Sequence, residues 1–169
     1  MVDKITLDRI ELLHPKIREK VKNAYLECCE TLTGKAILRF AYTLRTFKEQ
    51  DDLYALGRTK SGKIVTNAKG GQSYHNYGLA WDIVLLLDKN NDGVFETASW
   101  ETNVDFDGDG KSDWQEVVQI FKRIGAEWGG DWKFSDKPHF QIALGHSIVD
   151  LKSMWDKKRF ISNTNFVLI

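Results

Sequence analysis

The sequence predicts an α+β fold in which helices flank a mainly antiparallel sheet. Segments with helical spacing and segments with strand spacing are segregated rather than regularly alternating. Residues 78–87 carry side chains suited to two different strand faces, with Trp81, Ile83 and Leu85 on the apolar one. No Ser/Pro-rich linker divides the 169 residues, whose only prolines are Pro15 and Pro138. We therefore expect a single domain spanning residues 1–169.

The individual elements follow from apolar spacing and from capping signals. Pro15 suits the first turn of a helix, and Gly34 follows the end of that helical pattern. Thr46 and Glu49 have the spacing of a capping box for a helix that ends near Gly57. The other expected elements are a strand at 36–45, a long surface loop at 57–73, a strand at 78–87, a helix at 114–126, a strand at 139–143 and a short helix at 147–158.

Composition and charge exclude several classes of partner. The 24 basic and 24 acidic residues give a formal net charge of zero, so we expect no nucleic-acid partner. The longest apolar run, 83–87, is far too short to span a bilayer, and the N-terminus lacks the apolar segment of a secretory signal. Cys28 and Cys29 are adjacent, which favours two helix residues over a disulfide. These features predict a monomer made in the cytoplasm without membrane insertion.

Two histidines and one aspartate are candidates for a metal site. Asp82 shares the small-residue face of its strand with Ala80, and His75 lies just before that strand. His139 follows Pro138 at the start of the last strand. Two imidazoles and a carboxylate form a three-ligand zinc set whose fourth position is open to water. On spacing alone, a capped turn or a core hydrogen bond remains an alternative.

Asp136 lies three residues before His139. A carboxylate that is near zinc but does not bind it can take a proton from water and deliver it to a leaving amine. The alternative is a turn residue that precedes Pro138.

Three ordered motifs carry a family resemblance that spans about residues 12–142. SYHNYGLAWD, at 73–82, matches the SxHxxGxAxD motif of the zinc D-alanyl-D-alanine metallopeptidase family. EWGGDWKFSDKPHFQ, at 127–141, resembles the second motif of the phage L-alanyl-D-glutamate endolysins of that family. RTFKEQDDLYALGR, at 45–58, resembles its upstream element. The resemblance implies a fold similar to that of D-alanyl-D-alanine peptidases and hedgehog domains.

The resemblance also implies roles for individual residues. Asp136 would be the catalytic base, and the zinc ligands would be His75, Asp82 and His139. Arg45 would lie in the substrate cleft, where it would stabilise an oxyanion or hold a substrate carboxylate.

Four further polar residues have weaker predictions. Gln50 and Ser73 are candidates for substrate contacts, although Gln50 could equally be an exposed helix residue. His14 and His146 lie outside the motifs, and we expect both on the surface.

A second metal site is predicted independently of the resemblance. DFDGDGKSDWQE, at 105–116, fits the twelve-residue EF-hand loop, including its glycine at the sixth position, Gly110. The predicted calcium ligands are Asp105, Asp107, Asp109, the carbonyl of Lys111, Asp113 and Glu116. A solvated acidic loop is the alternative. No pair of flanking helices is expected, so this is an EF-hand-like loop only.

A half-site is predicted in the preceding loop, 88–99. Its candidate ligands for a second calcium ion are Asp88, Asn90 and Asp92, and Glu96 or Glu101 could replace the missing ligand at position 12, where Ser99 stands. We expect calcium to order the segment between the Asp82 strand and the His139 motif, and so to act as a structural element or as an activity switch.

The function that the resemblance implies is zinc-dependent hydrolysis of the L-alanyl-D-glutamate bond in the peptide stem of bacterial peptidoglycan. It further implies a phage endolysin that acts at the cell wall after release from the host cytoplasm, and we expect no separate wall-binding domain. Two alternatives stay open: a D-alanyl-D-alanine carboxypeptidase or dipeptidase, and a non-catalytic hedgehog-like module that binds zinc and calcium.

Overall fold

The computed structural model describes residues 1–169 and contains five α-helices and five strands. The helices are α1 Lys4–Ile10, α2 Pro15–Thr31, α3 Phe47–Ala55, α4 Asp113–Arg123 and α5 Ile148–Asp156. The strands are β1 Ala36–Tyr42, β2 Ala80–Leu87, β3 Thr97–Ser99, β4 Glu127–Trp128 and β5 His139–Gln141. Two short 3₁₀ helices span Tyr74–Tyr77 and Gly129–Asp131.

All strand pairs are antiparallel, which confirms the predicted fold class. The long strand β2 is central, because β1 pairs with it along one edge while β5 and β3 share the other edge. β5 pairs with the first residues of β2, where Asp82 is opposite His139, and β4 pairs with β5. The sheet therefore brings residues 57 positions apart in sequence to directly facing positions.

The alternation of side chains along β2 separates a large core from the face that bears Asp82. Trp81, Ile83 and Leu85 are fully buried in the main core, as predicted. Phe40 and Phe140, from the neighbouring strands, stack on either side of the Trp81 ring at centroid distances of 6.0 and 5.9 Å. Aromatic packing across three strands thus stabilises the sheet directly beneath Asp82.

Helix ends agree well with the capping signals in the sequence. The Thr46 hydroxyl accepts from the Glu49 backbone N–H while the Glu49 carboxylate accepts from the Thr46 N–H, so the predicted capping box is confirmed. The expectation of a surface position for His14 is wrong. His14 is fully buried, caps α2 through Nδ1, and has Nε2 3.0 Å from the Val167 carbonyl oxygen.

Several short elements were not predicted, and several boundaries differ. α1, β3 and β4 have too few residues for a clear periodic pattern. The predicted strand 36–45 ends at Tyr42, after a register irregularity between Phe40 and Tyr42. Residues 57–73 contain no strand, as expected of a surface loop. None of the helices combines the length and apolar character that a bilayer span requires.

Candidate metal centre and catalytic cleft

The structure brings the three predicted zinc ligands together at one point of the sheet. His75 lies in the first 3₁₀ helix, Asp82 in β2 and His139 in β5. The Asp82 Oδ1 atom is 3.2 Å from both His75 Nε2 and His139 Nδ1. These two ring nitrogens are themselves 3.2 Å apart. The three atoms therefore form an equilateral triangle.

This triangle fits a tetrahedral zinc ion. Ligand atoms that are about 2.0–2.1 Å from such an ion lie roughly 3.3 Å from one another. The three observed separations of 3.2 Å agree with that spacing. Nitrogen and carboxylate oxygen are common zinc ligands, and three protein ligands leave a fourth position for water or substrate.

The local backbone explains why His75 presents Nε2 to this site. Gly78 ends the 3₁₀ helix with a φ of +68°, which turns the chain directly into β2. The other ring nitrogen of His75, Nδ1, lies 2.7 Å from the carbonyl oxygen of Thr43. A backbone carbonyl can only accept, so this contact places the imidazole proton on Nδ1 and leaves the Nε2 lone pair for a metal.

Arg45 lies beside the triangle and lines the same cleft. Its Nη2 atom is 3.7 Å from Asp82 Oδ2, and its guanidinium lies 4.6 Å from the centre of the Tyr42 ring. Nη1 donates to Gln50 Oε1 at 2.9 Å, while the buried Nε has no hydrogen-bond partner. Arg45 therefore has a positioned charge and an unpaired N–H donor near the proposed metal.

The structure corrects the alternative given for Gln50. Gln50 is fully buried rather than exposed, and it lies behind Arg45 instead of lining the cleft. Its Nε2 atom donates to the Ala68 carbonyl at 2.9 Å. Ser73 does line the cleft, and its hydroxyl accepts from the His75 backbone N–H at 3.3 Å. Gln50 thus joins α3, Arg45 and the 57–73 loop.

Asp136 lies on the rim of the same cleft, in a tight turn before His139. Its backbone oxygen accepts from the His139 N–H at 3.1 Å, and its N–H donates to the Gly129 carbonyl at 2.9 Å. A Cβ atom on Gly129 would lie 2.4 Å from the Asp136 oxygen, so only glycine permits this close approach. The EWGG segment therefore helps to place Asp136.

The cleft has a volume of about 590 Å³. Its walls include the three candidate ligands together with Arg45 and Asp136, and aromatic side chains at its edge, Trp100 and Trp132. It is large enough for a peptide segment rather than only a metal ion.

The pKa values of the two cleft carboxylates, Asp82 and Asp136, are shifted in opposite directions. Burial raises the pKa of Asp82, but the charges of His75 and His139 and their hydrogen bonds lower it well below its usual range. For Asp136, partial burial raises the pKa of the carboxyl, although the nearby cationic groups oppose that effect. Asp82 is thus suited to bind a cation as an anion, and Asp136 is suited to exchange a proton.

The 105–116 loop gathers three of its six predicted calcium ligands. Carboxylate oxygens of Asp105, Asp107 and Asp109 lie within 4.8 Å of one another. The Asp105 carboxylate accepts from the Gly110 N–H at 2.9 Å, which wraps the loop around its first residue. The Lys111 ammonium lies 3.2 Å from Asp109 Oδ2.

The other two predicted side-chain ligands follow at the start of α4. Asp113 is fully buried, and its Oδ2 atom has no hydrogen-bond partner. The side chain of Glu116 is 10% exposed, and its Oε2 atom is also without a partner.

The preceding loop wraps around its first residue in the same way, but it does not gather three carboxylates. The Asp88 carboxylate accepts from the backbone N–H groups of Asp92 and Gly93, at 3.2 and 2.9 Å. The Asn90 amide nitrogen lies 2.9 Å from Asp92 Oδ2. These contacts close the loop through its own donors, and a second calcium site stays a prediction.

Comparison with known proteins agrees with this geometry. Residues 66–142 match the peptidase M15 model described as D-alanyl-D-alanine carboxypeptidase. The predicted resemblance to this metallopeptidase family is confirmed. The matched segment contains both histidines and both cleft aspartates, whereas Arg45 lies before it.

Two relatives illustrate the similarity. The chain is 56% identical over 99 residues to the peptidoglycan L-alanyl-D-glutamate endopeptidase CwlK of Bacillus subtilis. That alignment covers 58% of this chain and 56% of CwlK, so the aligned segment spans only about half the length of this relative. The crystal structure of the Serratia marcescens L-Ala D-Glu endopeptidase ChiX has a TM-score of 0.54 and 20% identity, covering 83% of this chain and 88% of ChiX. At 20% identity, the similarity to ChiX is evidence for the fold alone.

Proposed function

We propose that this protein is a zinc-dependent peptidoglycan endopeptidase that hydrolyses the L-alanyl-D-glutamate bond of the peptide stem. The observation that carries the proposal is the 3.2 Å triangle of His75, Asp82 and His139 in a peptide-sized cleft. The 56% identity to CwlK supports the choice of bond.

The residues around the triangle supply the remaining chemistry. His75, Asp82 and His139 would hold a zinc ion, which would supply Lewis acidity toward the scissile carbonyl and the attacking water. The Asp136 carboxylate takes a proton from that water and delivers it to the leaving amine. The Arg45 guanidinium, held by Gln50, donates hydrogen bonds to the developing oxyanion or to a stem carboxylate.

Mass spectrometry of fragments released from purified peptidoglycan tests this proposal. The zinc-loaded protein is compared with Asp136→Ala and with Asp131→Ala, a control that removes an exposed carboxylate paired with Lys122 in the same segment. We expect new N-terminal D-glutamate from the wild type and the control, and none from Asp136→Ala, which still binds zinc. A fully active Asp136→Ala variant would remove Asp136 as the base.

The same experiment separates the two alternative functions. Release of free D-alanine would identify a D-alanyl-D-alanine carboxypeptidase, consistent with the description of the matching family. A zinc-bound wild type that releases no fragment would favour the hedgehog-like binding module. The expected setting in phage lysis stays a prediction, and detection of the protein in phage-infected cultures at lysis would test it.

We also propose that the 105–116 loop binds calcium. The support is two carboxylate oxygens without hydrogen-bond partners, one on the buried Asp113 and one on the partly buried Glu116, together with three clustered aspartates in the same loop. The charges of Asp105 and Asp107 add to burial in raising the pKa of Asp113. The Lys111 ammonium contacts Asp109 and Glu116, at 3.2 and 3.5 Å. Lys111 thus provides a single cation among several carboxylates. A calcium ion would satisfy these oxygens more completely.

A path of contacts connects this loop to the cleft and supports a regulatory role for calcium. The Thr102 carbonyl accepts from Ser112 Oγ at 2.9 Å and from Gln115 Nε2 at 3.1 Å. The Thr102 hydroxyl lies 3.4 Å from the Lys137 ammonium, and Lys137 follows Asp136 directly. Ordering of the loop would therefore restrain the segment that carries the proposed base.

Isothermal titration of chelator-treated protein with calcium tests this second proposal. We expect binding and a higher melting temperature for the wild type, and loss of both in Asp113→Asn. Asp92→Asn in the 88–99 loop is the matched control and keeps the main site. Absence of calcium uptake by the wild type would refute the site. Uptake without a change in peptidase activity would refute the regulatory role.

A further inference from the structure

A chain of hydrogen bonds runs from the proposed metal site to the edge of the sheet. His139 Nε2, the ring nitrogen that points away from Asp82, is 3.1 Å from Gln141 Oε1. The side-chain nitrogen of Gln141 donates to Glu127 Oε2 at 3.0 Å. Gln141 is 8% exposed, and Glu127 lies directly opposite it in the β4–β5 pair. The sheet register therefore sets the order imidazole, amide, carboxylate.

Among Glu127, Gln141 and His139 Nε2, one arrangement of protons satisfies every group, whereas at His139 Nδ1 the Asp82 carboxylate, 3.2 Å away, is a competing acceptor until a metal takes its place. An ionised carboxylate only accepts hydrogen bonds, so the amide nitrogen of Gln141 must face Glu127. The amide oxygen then faces His139, and because that oxygen also only accepts, it favours the tautomer with the imidazole proton on Nε2. In that tautomer the lone pair lies on Nδ1, the atom 3.2 Å from both Asp82 Oδ1 and His75 Nε2.

We infer that Gln141 and Glu127 are positioning residues that hold His139 in the tautomer able to bind the metal. This inference rests on the proposed zinc site. Gln141 also lines the cleft, but in this role each of the two residues acts through the imidazole of His139. Partners of this kind orient metal-binding histidines and increase metal affinity.

The contrast with His75 explains why Glu127 is needed in addition to Gln141. His75 is oriented by the Thr43 carbonyl, which is part of the backbone and cannot act as a donor. The Gln141 amide could turn by 180° and present its NH₂ group to His139, which would favour the wrong tautomer. Glu127 prevents that reversal because it requires the NH₂ group for itself.

Glu127→Gln is the sharpest test, since it changes the hydrogen-bonding character of a residue that does not touch the histidine. With an amide at 127, Gln141 is free to reverse, and we expect zinc affinity to fall about 10-fold. Gln141→Leu, which removes the acceptor, should weaken zinc binding by a similar or larger factor. Glu30→Gln, an exposed change on α2, is the matched control and should leave the affinity unchanged.

Exchanging the two groups provides a rescue. In the double variant Glu127→Gln with Gln141→Glu, the carboxylate accepts from His139 Nε2–H, and the amide at 127 donates to that carboxylate. We expect this variant to recover most of the affinity lost in Glu127→Gln. A role limited to packing or fold stability would not be restored by the exchange.

Two readouts are measured for each variant. Chelator competition gives the zinc dissociation constant, and ¹⁵N shifts of the His139 ring in metal-free protein, at a pH where the imidazoles are neutral, give the tautomer. The Asp82 carboxylate faces Nδ1 in every variant, so we expect a larger fraction of the Nε2–H tautomer in the wild type and the exchanged pair than in Glu127→Gln. An unchanged tautomer and zinc affinity in Glu127→Gln would overturn the inference. Because the tautomer is read without metal or substrate, inactivity toward peptidoglycan would refute only the proposed function.

Discussion

Replacement of Gln50 by leucine tests whether a buried amide positions the cleft arginine. Gln50 accepts from Arg45 Nη1 at 2.9 Å and donates to the Ala68 carbonyl at 2.9 Å. Leucine fills similar space but offers neither contact. Water cannot readily replace the lost acceptor, because Gln50 is fully buried and the Arg45 side chain is only 12% exposed.

The magnitude follows from the two hydrogen bonds. A bond to a charged group contributes about 1.5–3 kcal/mol, and a neutral one about 1 kcal/mol. We therefore expect Gln50→Leu to lower the free energy of unfolding by about 3 kcal/mol and the melting temperature by roughly 10 °C. We also expect a fall of about 10-fold or more in kcat/KM, because Arg45 loses its orientation.

The assay combines urea unfolding, zinc titration and peptidoglycan hydrolysis. Zinc affinity should stay at the wild-type value, because Gln50 contacts none of the three proposed zinc ligands. Gln119→Leu, at an exposed position of α4, is the matched control and should change stability by less than about 0.5 kcal/mol. A Gln50→Leu variant with wild-type stability and activity would show that Arg45 is held by other contacts.

Two further predictions concern the stability of the fold around the site. Gly78→Ala should lower the free energy of unfolding by about 2–4 kcal/mol in chemical denaturation, because Gly78 has a φ of +68° and an added Cβ would lie 2.9 Å from the His14 nitrogen. The control Gly125→Ala should cost only about 1 kcal/mol, because Gly125 has a φ of +85° but open space around it. Equal losses for the two glycines would contradict the steric argument. Burial raises the pKa of Asp3, but hydrogen bonds from Arg39 and Thr6 lower it overall. The carboxylate therefore stabilises the fold at a pH above its unfolded pKa, and this stabilisation is lost as the pH falls through its folded pKa. Asp3→Asn should therefore cost roughly 1 kcal/mol at pH 7, given that Arg39 is 29% exposed, and almost nothing once the pH is below the folded pKa of Asp3. A pH-independent difference would exclude this ion pair as the cause.

Sequence patterns predicted the longer elements well, because their signals are local. The capping box at Thr46 depends on residues three positions apart, and the alternation along β2 placed Trp81 in the core. The same local reasoning failed for His14, whose burial depends on the distant Val167 carbonyl. It also missed β3 and β4, which exist only because β2 and β5 offer them edges.

Residue types and their spacing were enough to predict the functional groups: two histidines and two aspartates in motifs, and an acidic loop with calcium-binding spacing. How these groups lie relative to one another depends on the folded chain. The antiparallel register places His139 opposite Asp82, and the 3₁₀ turn at His75 closes the triangle to 3.2 Å. The folded chain also brings Gln50 into hydrogen-bond contact with Arg45, and Gln141 with His139. The physical reason is that residue type fixes which protons and lone pairs a group offers, whereas distances of a few ångströms between remote residues arise from strand pairing and core packing.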